Sequence, residues 1–251
     1  MACQNTKVPK CRPKQTPIHL LVVLGSGGHT AEMFNMLSRM QLDPSMYSYR
    51  TYVVSSGDKF SAVKAVEFEK GFLSRKKTQD RPEGQSAGSF SIATVPRARR
   101  VHQSYLTAPF STLQCLYACL LVLCNRHIDQ SPLSPNFVSP YPDLILTNGP
   151  ATAVCVILAA RLLRFYHCLP GLNPLKSNRG TFKAKTGEAD PRDFQMRAIF
   201  VESWARVTTL SLSGKLLLPF VDRFLVQWPA LEGKTAWEGM KKTEYVGPLV
   251  G

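Results

Sequence analysis

The chain has 251 residues and 44% of them are apolar, enough for one large domain or two small ones with a sizeable core, which excludes a chain disordered throughout. Lysine and arginine number 31 against 17 acidic residues, a formal charge of +14, so its partners are anionic: phosphates, an acidic membrane face or nucleic acid. No RNP motif, zinc-finger spacing or aromatic ladder in a basic groove is present, which makes nucleic acid the weaker partner.

Residues 1–17 read as a basic, flexible N-terminus, with Lys7, Lys10, Arg12 and Lys14, three prolines and no acid. No apolar h-region precedes Ile18, so no secretory signal is read. No run reaches the roughly 18 apolar residues that span a bilayer. The seven cysteines, at 3, 11, 115, 119, 124, 155 and 168, are odd in number and form no CxxC pair. Cys115, Cys119, Cys124 and Cys155 lie in apolar segments, which reads as buried reduced thiols in a reducing compartment. Cys3 and Cys11 stand in the basic N-terminus as free thiols, with acylation as the alternative.

Residues 18–24 form a short apolar run and read as a buried strand. Gly25-Ser26-Gly27-Gly28-His29-Thr30-Ala31-Glu32-Met33 follows. Met33, Met36, Leu37 and Met40 recur at helical spacing, which predicts a helix over 31–40 with Thr30 or Ser26 as its cap. The glycines tolerate backbone angles that residues with a Cβ avoid, and they let a ligand approach the main chain. A glycine turn that brings the positive end of a helix to the tip of a buried strand is a natural anion site. The pattern is neither the dinucleotide fingerprint nor a Walker A loop, so a plain strand-to-helix turn stands beside phosphate contact. His29 and Glu32 are one helical turn apart, so their side chains can project together.

Residues 49–56 predict a second strand, and 59–70 a helix whose inner face is Phe60, Val63, Val66 and Phe68. Residues 71–89 are polar and read as a mobile insertion, and 90–96 alternate as a third strand. Arg97, Arg99, Arg100 and His102 then put positive charge at a strand's carboxyl end, where open α/β sheets bind ligands. A solvated basic loop is the alternative. Residues 106–126 predict a helix with Thr107 as cap and Pro109 near its start. Between 113 and 124 only Gln114 is clearly polar, and a helix apolar all round is buried, lies against another chain or dips into lipid. Those residues rise about 18 Å, short of the roughly 30 Å hydrocarbon core, so core burial is expected first and monotopic membrane contact second.

Residues 129–141 read as a proline-rich loop, and 142–150 as a strand breaking into Thr147-Asn148-Gly149-Pro150. A small-residue helix over 151–165 follows, then a second basic, mobile insertion over 166–197. Residues 198–206 predict a strand with Glu202 and Ser203 at its end, 208–220 lead into a helix, and 222–229 form the last clear strand, followed by a short polar helix. Alternating strands and helices predict an α/β fold, a doubly wound parallel sheet with right-handed crossovers and both glycine junctions on one edge.

The glycine motif, Pro96-Arg97-Ala98-Arg99, Asn148-Gly149-Pro150, Val201-Glu202-Ser203, Ser211-Leu212-Ser213-Gly214-Lys215 and Gln227-Trp228-Pro229-Ala230-Leu231 together resemble the asparagine-linked glycosylation protein 14 family, in order from about Ile18 to Val250. That family is the membrane-anchoring subunit of the dolichol-pathway UDP-N-acetylglucosamine transferase. The resemblance implies a Rossmann-like domain over 18–251, equivalent to the acceptor-side N-terminal half of a GT-B glycosyltransferase. It implies a catalytic partner, asparagine-linked glycosylation protein 13, which binds the UDP-GlcNAc donor, and activity only in the heterodimer. The implied acceptor is GlcNAc-diphosphodolichol, which receives its second N-acetylglucosamine on the cytosolic face of the endoplasmic reticulum membrane, with the nuclear membrane as a further location. No cofactor or metal is implied for this chain.

On that assignment Gly25, Ser26, Gly27, Gly28, Arg97, Arg99, Asn148, Gly149 and Glu202 are the candidate acceptor diphosphate site. His29 and Glu32 are the candidate catalytic pair, since imidazole changes protonation near neutrality and a carboxylate can orient it. Diphosphate contact without proton transfer is the other reading of His29, and a helix-cap or packing role that of Glu202. Family members usually begin with a transmembrane helix, whereas here a basic stretch precedes Ile18. Attachment therefore runs through an anchor missing from this sequence, or through the 113–124 helix and basic residues. Two rivals remain at this stage: a pure scaffold for the partner, and a self-sufficient small α/β enzyme on a soluble phosphorylated substrate.

Overall fold

The computed structural model describes residues 17–40, 42–77, 88–99, 103, 106–133, 137, 139–149, 151–168 and 196–249. Cys3, Cys11, Arg100, His102 and most of both expected insertions (78–87 and 169–195) lie outside the described residues.

The strands are β1 (His19–Val23), β2 (Tyr49–Ser55), β3 (Ser89–Val95), β4 (Leu144–Asn148), β5 (Arg197–Val201), β6 (Arg223–Val226) and β7 (Glu244–Tyr245). The helices are α1 (Gly28–Arg39), α2 (Lys59–Lys77), α3 (Ala108–Leu123), α4 (Ala151–Cys168) and α5 (Leu212–Leu217), with a 3-10 turn at Pro229–Leu231. All strands are parallel in one sheet of order β3-β2-β1-β4-β5-β6-β7, the expected doubly wound, Rossmann-like arrangement. The chain winds outward from β1 to β3, returns across β1 to β4, and winds the other way. Right-handed crossovers therefore put α1 and α2 on one face and α3, α4 and α5 on the other. The reversal makes the carboxyl ends of β1 and β4 the topological switch point.

β1 is buried on both faces because its side chains alternate between two cores. Leu21 and Val23 pack with α3, α4 and α5, while Leu20 and Val22 pack with α1 and α2. Register follows: Val23 pairs with Val53 on one side and with Thr147 on the other. Cys115, Cys119 and Cys155 are free thiols in the α3–α4 core, as expected. The neighbouring thiol and burial push the Cys115 and Cys155 thiols upward, so they stay neutral and unreactive.

Several boundaries differ from the sequence reading. α1 begins at Gly28, not Ala31, because the Gly27 carbonyl already accepts from the N–H groups of Thr30 and Ala31. Neither Thr30 nor Ser26 caps it: Gly27, at φ +60°, holds the N-cap position without a side chain. α2 runs on to Lys77 and α4 to Cys168, both into expected insertions. β5 stops at Val201, leaving Glu202 and Ser203 in the loop beyond it. The inner face of α2 is Ser61, Ala65 and Glu69, all buried, while Phe60 and Val63 are 52% and 55% exposed. The reason is Arg50, a wholly buried side chain of β2. Glu69 meets its guanidinium through two bonds of 2.6 and 2.8 Å, and Tyr52 donates to the same carboxylate at 2.7 Å.

α3 is not buried all round. Cys115, Ala118, Cys119, Val122 and Leu123 face the core, but Phe110, Leu113 and Tyr117 are 72%, 61% and 64% exposed. Of the described helices, α4 is long and apolar enough to cross a membrane by length and composition. One face of it lies in the core, with Cys155, Val156, Ala159 and Ala160 buried and Arg164 tied to Asp222 at 2.8 Å, while Leu162, Phe165 and Tyr166 are exposed towards its end.

Candidate functional site

The switch point gathers the glycine motif, the Asn148-Gly149 turn and the loop after β5. Gly25 is buried at the end of β1, while Ser26, Gly27 and Gly28 are exposed. Two side chains pin the turn from beneath. The Thr30 hydroxyl donates to the Gly25 carbonyl and lies 2.6 Å from Ser61 Oγ. Ser61 in turn sits 2.7 Å from Asp58 Oδ2, and Asp58 Oδ1 accepts from the Ser61 N–H at the start of α2. The first N–H groups of α1, at Gly28 and His29, have no intrahelical acceptor by their position and point along the positive end of the helix. Such an end can receive an anion through main chain alone.

His29 and Glu32 lie side by side on the first turn of α1, with His29 Nδ1 3.4 Å from Glu32 Oε2. Nδ1 is buried and has no hydrogen-bond partner among the described residues, with the Glu32 carboxylate as its charged neighbour. Gly149 forms the wall behind the ring: at φ +77° it carries no Cβ, and one added there would stand 2.8 Å from His29 Cγ. The ring is about a third exposed, so its open edge is the one bearing Nε2. A proton on Nδ1, facing the carboxylate, leaves the Nε2 lone pair toward the open side.

Glu32 is held from three directions. Its Oε1 accepts from the Trp204 N–H at 2.8 Å and from the Ser203 hydroxyl at 3.0 Å. Asn148 Nδ2 donates to the His29 carbonyl at 2.8 Å and reaches Glu32 Oε2 at 3.5 Å. Burial pushes the Glu32 carboxyl up, but the His29 ring, the Trp204 N–H and the Ser203 hydroxyl outweigh it and hold the group below its ordinary value. Glu32 is therefore an ionised acceptor at neutral pH and no general acid.

The other expected residues divide. Asn148 and Gly149 meet the His29–Glu32 pair directly. Arg97 lies at the end of β3, exposed, with its Nε donating to the Ser56 carbonyl at 2.9 Å. It lines an open recess of about 370 Å³ with Ser56, Pro96, Ser111 and Gln114. Arg99 is exposed two residues on. A second recess of about 500 Å³, between the β5–α5 loop and the segment after the 3-10 turn, carries Lys215, Lys234 and Trp237. Neither recess is lined by a residue of the glycine motif. Glu202 is turned away from solvent, 2% exposed. Its Oε2 accepts from the N–H and hydroxyl of Ser211 at 3.0 and 3.1 Å, and its Oε1 from the Ser203 N–H at 3.2 Å. Gly214 is a glycine because a Cβ there would stand 2.2 Å from Glu202 Oε2. Glu202 thus organises the turn into α5.

Sequence reasoning missed Ser203, the Trp204 N–H and the Thr30–Ser61 pair as parts of the site. The signal available for Ser203 was its place at the end of a buried strand, which says nothing about a contact to α1. Among the described residues no group of three or more His, Cys, Asp or Glu side chains could hold a metal.

The family described as "Oligosaccharide biosynthesis protein Alg14 like" matches residues 20–249. The UDP-N-acetylglucosamine transferase subunit alg14 of Aspergillus fumigatus is 60% identical over 227 residues, 87% of this chain and 100% of the relative. The Schizosaccharomyces pombe subunit of the same name is 38% identical over 96% of this chain and 87% of its own length. The Homo sapiens subunit ALG14 is 33% identical over 93% of this chain and 83% of its own length. A parallel sheet with a glycine-turn switch point, matched from β1 to the segment beyond β7, makes this chain a member of the Alg14 family of oligosaccharide biosynthesis proteins.

Proposed function

We propose that this chain is the non-autonomous subunit of a UDP-N-acetylglucosamine transferase that adds the second GlcNAc to GlcNAc-diphosphodolichol. One observation carries the reading. The His29–Glu32 pair stands at an anion-binding helix start on the switch point of a chain whose relatives are named as subunits of that transferase. Residues 18–251 form one Rossmann-like domain in this reading, the acceptor-side half of a GT-B enzyme. The catalytic partner, asparagine-linked glycosylation protein 13, brings the UDP-GlcNAc.

The chemistry divides accordingly. The main-chain N–H groups at Gly28 and His29, with Arg97 and Arg99, hold the acceptor diphosphate. The acceptor sugar hydroxyl oxygen attacks the anomeric carbon of UDP-GlcNAc, its proton passes to His29 Nε2, the bond from that carbon to the phosphate oxygen breaks, and UDP leaves. Glu32 stabilises the imidazolium that forms. Attachment is to the cytosolic face of the endoplasmic reticulum and nuclear membranes. The exposed stripe Phe110, Leu113 and Tyr117, close to Arg97 and Arg99 in the chain, supports a second, monotopic contact with an anionic lipid surface.

Co-expression with the catalytic partner, followed by transfer to a lipid-diphosphate acceptor, tests the reading. Activity of the heterodimer and none of either chain alone is expected. Efficient transfer by this chain alone, or on a soluble acceptor, overturns it. His29→Ala at wild-type turnover in an assembled heterodimer removes the base and leaves a scaffold.

A further inference from the structure

We propose that Ser203 is a positioning residue for the reaction, acting on His29 through Glu32. The proposal rests on the reading of His29 as the base. Ser203 is buried, and its neighbours fix which way its proton points. The Ala205 N–H donates to Ser203 Oγ at 3.3 Å, so one lone pair is occupied, and the hydroxyl hydrogen is turned toward Glu32 Oε1, 3.0 Å away. The backbone is held as well. The Ser203 N–H donates to Glu202 Oε1 at 3.2 Å, and the Ser203 carbonyl accepts from the Arg206 N–H at 2.9 Å. The loop after β5 is therefore a fixed mount for one hydroxyl.

The consequence lies at the other carboxylate oxygen. Without the Ser203 hydroxyl the carboxylate keeps only the Trp204 N–H on Oε1 and the long 3.5 Å contact of Asn148 Nδ2 on Oε2, a looser hold about which it can turn. Two donors on Oε1 fix the plane of the group and aim Oε2 at His29 Nδ1, 3.4 Å away. A carboxylate held beside Nδ1 favours the proton on that nitrogen and leaves Nε2 to accept one. Ser203 touches neither ring nor open site, so its removal acts on turnover and not on acceptor binding.

The test uses the assembled heterodimer, with rates taken per heterodimer and GlcNAc-diphosphate-lipid as acceptor. Ser203→Ala lowers kcat by about tenfold with the acceptor KM within about threefold, since loss of an orienting hydrogen bond appears in the transition state. Ser203→Thr, which keeps the hydroxyl, restores most of the rate. In a Glu32→Gln background Ser203→Ala has no further effect. Wild-type kcat for Ser203→Ala, a raised KM at unchanged kcat, or an equal loss in the Glu32→Gln background overturns the proposal. Failure of the underlying reading looks different: His29→Ala then turns over like the wild type. An inactive His29→Ala beside a fully active Ser203→Ala overturns the Ser203 role alone.

Discussion

Glu32 Oε1 accepts a 2.8 Å hydrogen bond from the main-chain N–H of Trp204, a residue 172 positions further along the chain. A carboxylate on the first turn of α1 is thereby fastened to the loop that leaves β5. The pair closes one side of the switch point, and Asn148 and Gly149 at the end of β4 close the other. Trp204 is itself seated: its carbonyl accepts from Trp228 Nε1 at 2.7 Å, and the two indoles pack 4.3 Å apart. The Gln227-Trp228 segment thus supports the site through Trp204 without entering it.

Gly149 sets the position of the His29 ring, and Gly149→Ala tests this. The substitution faces two penalties, a left-handed backbone at φ +77° and a Cβ 2.8 Å from His29 Cγ. Gly233 supplies the control, because at φ +72° it has the same backbone demand and nothing within 4 Å of an added Cβ. Each alanine costs about 1–2 kcal/mol of stability from the backbone alone. Only Gly149→Ala also lowers the turnover of the heterodimer, by about tenfold or more, because a shift near 1 Å at a reacting group has that effect. Equal turnover in the two variants would show that the ring does not rest on Gly149.

The buried Arg50–Glu69 pair is expected to dominate the stability of the β2–α2 layer. Both side chains are wholly buried, and Arg50 also donates to the Tyr47 carbonyl at 2.6 Å. Glu69→Gln leaves a guanidinium without its counter-charge and destabilises the fold by about 3–5 kcal/mol. The double change Arg50→Met with Glu69→Leu removes both charges and costs less than Glu69→Gln alone. Denaturant midpoints of the purified chain check the order. A double variant less stable than the single one contradicts it.

His19 makes stability depend on pH. It is buried under Tyr49 and Phe137, with Nε2 2.9 Å from Thr51 Oγ1 and Nδ1 without a partner among the described residues. Burial holds its imidazole down to about 3. The unfolded chain takes up this proton at its ordinary value near 6.5, the folded chain only near 3. Between those values the unfolded state binds more protons, so stability falls as pH drops through that window, by on the order of 1 kcal/mol per pH unit. His19→Phe keeps an aromatic ring and removes the titration. Its denaturant midpoint between pH 7 and pH 4 then falls less steeply than that of the wild type, and a parallel fall would assign the acid limb to other groups.

The order of strands and helices was legible because several strands are short runs of strand-forming residues closed by glycine or proline, as at Leu24-Gly25, Val95-Pro96 and Asn148-Gly149. Periodicity failed where the core is polar. Ser61 and Glu69 line the inner face of α2, so counting Phe60 and Val63 turned the helix outward. The His29–Glu32 pair was visible as a local spacing. Ser203 and Trp204 were not, since their bonds to Glu32 cross the sheet from β5 to α1, and no local pattern records which strand ends meet. Glu202 had two readings from sequence, diphosphate contact and a cap or packing role, and its bonds to Ser211, the N-cap of α5, favour the second.

The exposed face of α3 yields the last prediction. Phe110, Leu113 and Tyr117 recur at helical spacing on the side away from the core, and Leu106 continues the stripe in the turn before the helix. Surface side chains such as these contribute little to folding, so the triple change to serine alters stability by no more than about 1–2 kcal/mol. Inserted in an interface, each apolar side chain adds on the order of 1 kcal/mol to binding, and nearby arginines add salt-sensitive attraction to anionic lipid. Flotation with phosphatidylserine-containing vesicles measures this. The wild-type chain is expected to float and to be released by salt, and the triple variant to float at least about tenfold less at the same thermal midpoint. If the variant floats normally but no longer assembles with the catalytic subunit, the stripe is covered by that partner, and the lipid contact must be sought elsewhere on the chain.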